Sequence, residues 1–384
     1  MNFVQKVLLL SVVSVVIISC EDKEDNDDSS QPVVAWSKEI YSDWGNCISP
    51  TSDGGFVAFC TSSWDGISAE LYRITSSGEI IDSISLPTLS VDRYYGSVKA
   101  ADGGMWIVFQ NNGINLQLYD SELELVRSTT VASYDWKVME IVDTHVGLMA
   151  ACQIQESVNV SRCALLTMDY QGNVQFVDTL SVPVIAQDSV SVSDNIYHMA
   201  VSSSGDVFLT GTRYFENYWG AIFSSDGLVV KADNDGNIEW YWVLDATLHD
   251  RIDSVLPLAN GGAIAYVDTF RSERNQFVEF SSSGAPTWRD DLSSWFEDWS
   301  VYGFIKSLYG ASYAICGRSF FEGVGAENLV VSLDEIGQPI SRMTIQNGMG
   351  VSASAWLSDG SLGLLGWYPS DAIPQLAALA KIQF

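Results

Sequence analysis

The sequence predicts an all-β fold closed into a ring, and three observations carry that prediction. Past residue 32 the chain runs in short β-prone stretches punctuated by Gly, Ser, Asp and Asn, with no convincing amphipathic helical stretch. These stretches recur as seven copies of roughly 45–60 residues, the period of four-stranded propeller blades. The two ends then complement each other. Residues 376–384 read as a third strand with no fourth after it, and residues 33–41 as a fourth strand with no predecessors. Pairing them completes the last blade and hides two sheet edges. The expectation is one β-propeller of seven four-stranded blades over residues 33–384, preceded by segments 1–19 and 20–32 of a different character.

Composition narrows the partners. With 19 Lys+Arg against 48 Asp+Glu, the chain carries a formal net charge of −29. Nucleic-acid binding needs clustered cations and is excluded on that ground. Attraction to an anionic membrane through charge is equally disfavoured. The hydrophobic share of 47% supplies a large core, so global disorder is ruled out.

Segment 1–19 reads as a targeting signal. Lys6 supplies the positive start, and residues 7–18 form an apolar run too short to span a bilayer comfortably. The run ends at Ile17-Ile18-Ser19-Cys20, which resembles a bacterial lipobox. The resemblance implies cleavage before Cys20 and a diacylglycerol on its thiol. The alternative is an uncleaved anchor helix with an incidental cysteine. Glu21-Asp22-Lys23-Glu24-Asp25-Asn26-Asp27-Asp28 follows, six acids and one base, and then Ser29-Ser30-Gln31-Pro32. Such a stretch cannot bury apolar area and reads as a solvated tether. An acidic run placed there is similar to the export signal of surface-displayed Bacteroidota lipoproteins. That resemblance implies outer-membrane anchoring with the protein facing the exterior.

Within 33–384 each copy has two halves. The first is an aspartate followed eleven positions later by a turn glycine: Asp43/Gly54, Asp92/Gly103, Asp194/Gly205 and Asp250/Gly261. Asp135 and Asp298 keep the phase, while the seventh copy retains Ser358-Asp359-Gly360 without the aspartate. The second half is an apolar strand, a turn glycine and a further strand. Trp240 and Trp288 lie four residues beyond Gly236 and Gly284, and Trp36 fills that place at the start. Thr51-Ser52-Asp53-Gly54-Gly55-Phe56 and Lys231-Ala232-Asp233-Asn234-Asp235-Gly236-Asn237, ending in Trp240, resemble the propeller repeats of secreted Bacteroidota proteins. The motifs specify fold, not chemistry.

Chemical motifs are scarce. Asp233-Asn234-Asp235-Gly236-Asn237 mimics a calcium loop but lacks the twelfth-position Glu, so the expected role is a turn capping its own backbone. His145, His198 and His249 occupy different phases of the repeat and do not converge on a metal. No nucleophile elbow, zinc-protease helix or phosphate loop is present in the sequence. No cofactor or metal is expected, and no catalytic residue is assigned. The recurring aspartates read first as hydrogen-bond acceptors fixing the blade junctions, and second as an acidic ring for a cation or hydroxylated ligand. Cys47 and Cys60 flank one turn, and Cys152 and Cys163 another. Two disulfides leaving Cys316 free are one reading, and buried thiols the other.

The functional expectation follows from the loops. Those leading into each first strand share a face with those joining second and third strands. On that face fall Trp44, Trp136, Trp295 and Trp299 from the lead-in loops, with Trp64, Trp219 and Trp367 from the second–third loops. Tyr94, Tyr95, Tyr134, Tyr218 and Tyr368 join them, while Trp36, Trp240 and Trp288 read as packing. Stacked aromatics beside Asp43, Asp92, Asp135, Asp250 and Asp298 suit sugar rings and their hydroxyls; the alternative is that these tryptophans tuck between blades as core. The expectation is a monomeric, membrane-anchored binding module for a glycan or glycoconjugate. A protein-interaction scaffold is the alternative, and a carboxylate-based hydrolase comes third.

Overall fold

A computed structural model describes residues 33–383, apart from 41–43, 62–68, 87–92, 101–102, 111–112, 133–135, 145, 158–159, 180–190, 217–221, 245–249, 270–275, 297–299, 307–312, 322–324, 346–349, 357–360 and 369–375. For a further set of strand residues the backbone alone is described. The signal segment, Cys20 and the acidic tether lie outside the described residues.

Among the described residues twenty-eight strands form seven antiparallel blades of four; blades 1 to 6 are each a consecutive run of the chain, and two of these join edge to edge into one eight-stranded sheet. Blade 1 spans 44–86, blade 2 93–132, blade 3 137–179, blade 4 191–244, blade 5 250–288 and blade 6 300–345. Blade 7 takes three strands from 350–383 and its fourth from Val33–Ile40, which pairs antiparallel with Leu376–Gln383. The expected closure is present. Each first strand neighbours the first strands of the adjacent blades, and the ring shuts between Trp44–Pro50 and Gly350–Trp356. Blades 3 and 4 are further stitched by two parallel pairs, Val160 with Val192 and Ser161 with Ser193.

The core is the set of blade-to-blade contacts. Phe56, Ala58 and Cys60 of blade 1 meet Leu365 of blade 7 on one face. Val57, Phe59 and Leu71 meet Met105 and Ile107 of blade 2 on the other. A strand buried on both faces explains the unbroken apolar run Phe56–Cys60, all buried. Tight turns repeat one pattern. In Asp169, Asp233 and Asp334 one carboxylate oxygen accepts the backbone N–H groups two and four residues on, at 2.8–3.0 Å. The calcium-like run at 233–237 is therefore a self-capped turn. These turns and those joining first to second strands make one face, the turn face. The longer connections make the opposite loop face.

The packing of turns on aromatics is specific. Trp240 stacks on Phe280 with centroids 5.5 Å apart, and its Nε1–H donates to the Ser282 carbonyl at 3.1 Å. Gly284, at φ +83°, lies so close that an added Cβ would stand 2.7 Å from the indole. Trp288 does not repeat this role and is 47% exposed. The next turn glycine, Gly337, faces Ile264 and Leu258 instead, and its carbonyl accepts from Arg289 at 3.2 Å.

One departure from all-β follows Trp288. Asp290–Ser293 is a helical turn, continued by a 3₁₀ turn Ser294–Phe296. Leu292 and Phe296, four apart, plug the interface of blades 5 and 6. A single turn is too short to show amphipathic periodicity in sequence.

Candidate functional site

Every first strand carries a one-residue bulge at the same level. The residues left without a partner are Asn46, Tyr95, Met139, Tyr197, Asp253, Tyr302 and Ser352. A bulge bends the strand and re-aims its side chains. Ahead of the bulge, blade 4 has the six strand residues 191–196 where blade 5 has only 250–252. Three more residues raise blade 4 by about 10 Å on the loop face. The second and third strands match, since Val207–Glu216 and Ile222–Ala232 outrun Ala263–Thr269 and Gln276–Phe280. Blade 4 therefore stands as a wall above blade 5.

The foot of that step is chemically furnished. The Tyr197 and Tyr214 hydroxyls hydrogen-bond to each other. The Arg251 guanidinium lies 4.2 Å from the Tyr197 ring centroid and pairs with Asp253. Cation–π contact and ion pair together hold the Arg251 plane, though half of the side chain is exposed. Burial pushes the Asp253 carboxyl above its ordinary value against the pull of Arg251. Burial also raises the Tyr197 phenol, aided by Tyr214. Asp268, paired in register with Arg251, is exposed at the rim. Two tyrosines, a half-exposed cation and two carboxylates thus meet in one partly exposed step. With Asp253 held by Arg251 and Asp268 in solvent, the arrangement suits binding better than acid–base chemistry.

Two inner-strand groups complete the electrostatics. Glu140 follows the blade 3 bulge, and no basic side chain pairs with it among the described residues; burial pushes its carboxyl up to about 8. Burial pushes the Cys47 thiol up to about 11, with a smaller upward push from Glu140. His198 accepts the Val255 N–H on Nδ1 at 3.3 Å, and burial lowers its pKa to about 4.

No family model matches the chain, and no curated protein matches it by sequence. Solved structures do. BBS1N, solved in complex with ARL6DN, superposes with a TM-score of 0.54 at 11% identity, covering 92% of this chain and 96% of that one. The Dos1 propeller gives 0.51 at 12%, covering 89% and 81%. A puromycin hydrolase gives 0.52 at 14%, covering 88% of this chain and 52% of that one. The likeness is one of fold.

The sequence-predicted residues divide. Trp136 is half-buried against the core between blades 2 and 3, and Trp295 against that between blades 5 and 6. Each packs its buried part where a blade gap needs volume. Asp250 is fully buried and engaged within the protein, so it is no surface acceptor. Its counterpart Asp194 is likewise buried, bonded twice to Arg213 at 2.7 and 3.2 Å. At Asp194 the repeated aspartate is a structural residue, as first read. Trp44 and Trp367 sit on strands with only their backbone described. Trp64, Trp219, Trp299, Asp43, Asp92, Asp135 and Asp298 lie outside the described residues, as do His145 and His249.

The disulfide expectation is corrected. Cys47, Cys60, Cys152 and Cys163 are all free thiols. Cys47 opposes Phe59 rather than Cys60, and Cys152 opposes Ala164 rather than Cys163. An offset of one residue sends the two side chains to opposite sheet faces. Cys152 packs toward blade 2 and Cys163 toward blade 4. The Tyr197–Tyr214–Arg251–Asp253 group was missed because its members join across two blades. Only the unpaired bulge position links Tyr197 with Asp253, and bulges leave no mark in composition.

Proposed function

We propose that the protein is a lipid-anchored module on the outer membrane, facing the exterior, that captures a glycan or glycoconjugate on its loop face without transforming it. One observation carries this reading: the partly exposed step where Tyr197, Tyr214, Arg251 and Asp253 converge beneath the blade 4 wall. Sugar rings stack their C–H faces on aromatic surface, while hydroxyls bond guanidinium, phenol and carboxylate groups. A soluble protein beginning at Pro32 should bind a subset of a glycan array. Arg251→Ala and Tyr214→Phe should weaken that binding about tenfold, or 1.4 kcal/mol, with unchanged melting. If no glycan binds the wild type, or if the variants bind equally well, the glycan reading fails.

A protein partner is the second reading, favoured by Ile80, Ile81, Leu125 and Val126. These are exposed on the outer strands of adjacent blades 1 and 2. Apolar side chains grouped in solvent mark contact surfaces.

A further inference from the structure

We infer that the propeller hangs from its turn face, tethered at the perimeter of blade 7, with the loop face directed away from the bilayer. The inference rests on the lipid-anchor reading of Cys20 and not on the identity of any ligand. Val33 opens the outer strand of blade 7 opposite Gln383, and Val34 opposes Ile382. Ile382 in turn opposes Leu362, the residue that opens the second strand of that blade after its first turn. The chain therefore enters the fold on the turn face, at the perimeter.

Length decides which face the anchor can bring down. Twelve residues, 21–32, separate Cys20 from Val33. At 3.3–3.6 Å per residue they reach at most about 45 Å, and a relaxed chain of that length spans about 20 Å. The eight residues of Val33–Ile40 make the blade about 25 Å tall at their strand rise. Turning the loop face to the membrane would draw the tether along the whole blade height and then around the rim. That exceeds its relaxed span and consumes most of its maximum. Turn face down requires neither.

Charge sets the stand-off. The turns on that face carry Asp53, Asp120, Asp169, Asp233, Asp235 and Asp334. Facing anionic headgroups, these carboxylates are repelled within a Debye length of about 8 Å. The turn face hovers over the lipid rather than seating on it, and the Tyr197–Arg251 step opens toward ligands arriving from outside.

Energy transfer to the membrane tests the orientation. The full-length lipidated chain is placed in anionic vesicles with acceptor dye on the lipid headgroups. A donor is attached through Glu335→Cys on the turn face or Asp268→Cys on the loop face, both exposed positions. Wild type labelled in parallel sets the background from native thiols. Transfer from position 335 should be severalfold more efficient than from position 268. Equal or reversed efficiencies overturn the orientation. A wild-type chain that does not associate with vesicles overturns the anchor and the orientation together, while leaving glycan binding by the soluble protein intact.

Discussion

Asp194 and Arg213 show what a repeated residue means in this fold. The pair is almost wholly buried, with side-chain exposures of 1% and 4%. Removing the cation leaves a desolvated carboxylate, so Arg213→Ala should cost about 3–5 kcal/mol in chemical denaturation. A loss under 1 kcal/mol would show the pair to be incidental. Glu140 makes the opposite kind of prediction. Its carboxyl sits at about 8 in the fold against an ordinary 4.5. Between those values the folded chain holds a proton that the unfolded chain releases, so stability falls as pH rises through that window and levels above it. Glu140→Gln should melt like wild type near pH 4.5 and above it near pH 8.5. A temperature difference constant across that range would remove Glu140 from the linkage. The aspartate repeat was legible in sequence, and so was the structural role that Asp194 takes. The environment of Glu140 was not, because nothing local marks a carboxyl that the fold will bury.

At the scale of strands, closure is the property most open to attack. Val33–Ile40 supplies the outer strand of blade 7, and every pair it makes is with the C-terminal strand. Deleting residues 33–41 would leave Leu376–Gln383 as a bare edge, so the truncated chain should aggregate and lose its cooperative melt. A truncated protein that melts with wild type would refute the mated ends. Both partner strands could be read from the sequence because each half-blade lacked its complement. The seven bulges could not, since one extra residue in a short strand resembles ordinary variation in length. The same limit undid the cysteine pairing. The turn Thr51–Gly55 centres on Asp53, and that centre, set by its backbone hydrogen bonds, sends Cys47 and Cys60 to opposite faces.

For the whole molecule the prediction is anchorage. Cys20→Ala should release the protein from membranes or stall its processing, read by fractionation and by migration on a gel. Unchanged partition and migration would discard the lipid anchor, and with it the orientation inferred from the tether. The propeller architecture, with about seven blades, lies in the order of residues along the chain. A repeat reports its period wherever it folds. Propeller blades pair strands that are consecutive in sequence, so periodicity alone predicts their neighbours. What the tertiary structure alone decided is which side chains face solvent and which converge. Trp136 and Trp295 went to the blade gaps and Asp250 to the interior. Tyr197 and Arg251, 54 positions apart, met instead at the foot of a step. Burial in this fold is settled between blades, through contacts whose partners lie about a blade-length away along the chain, where no local pattern records them.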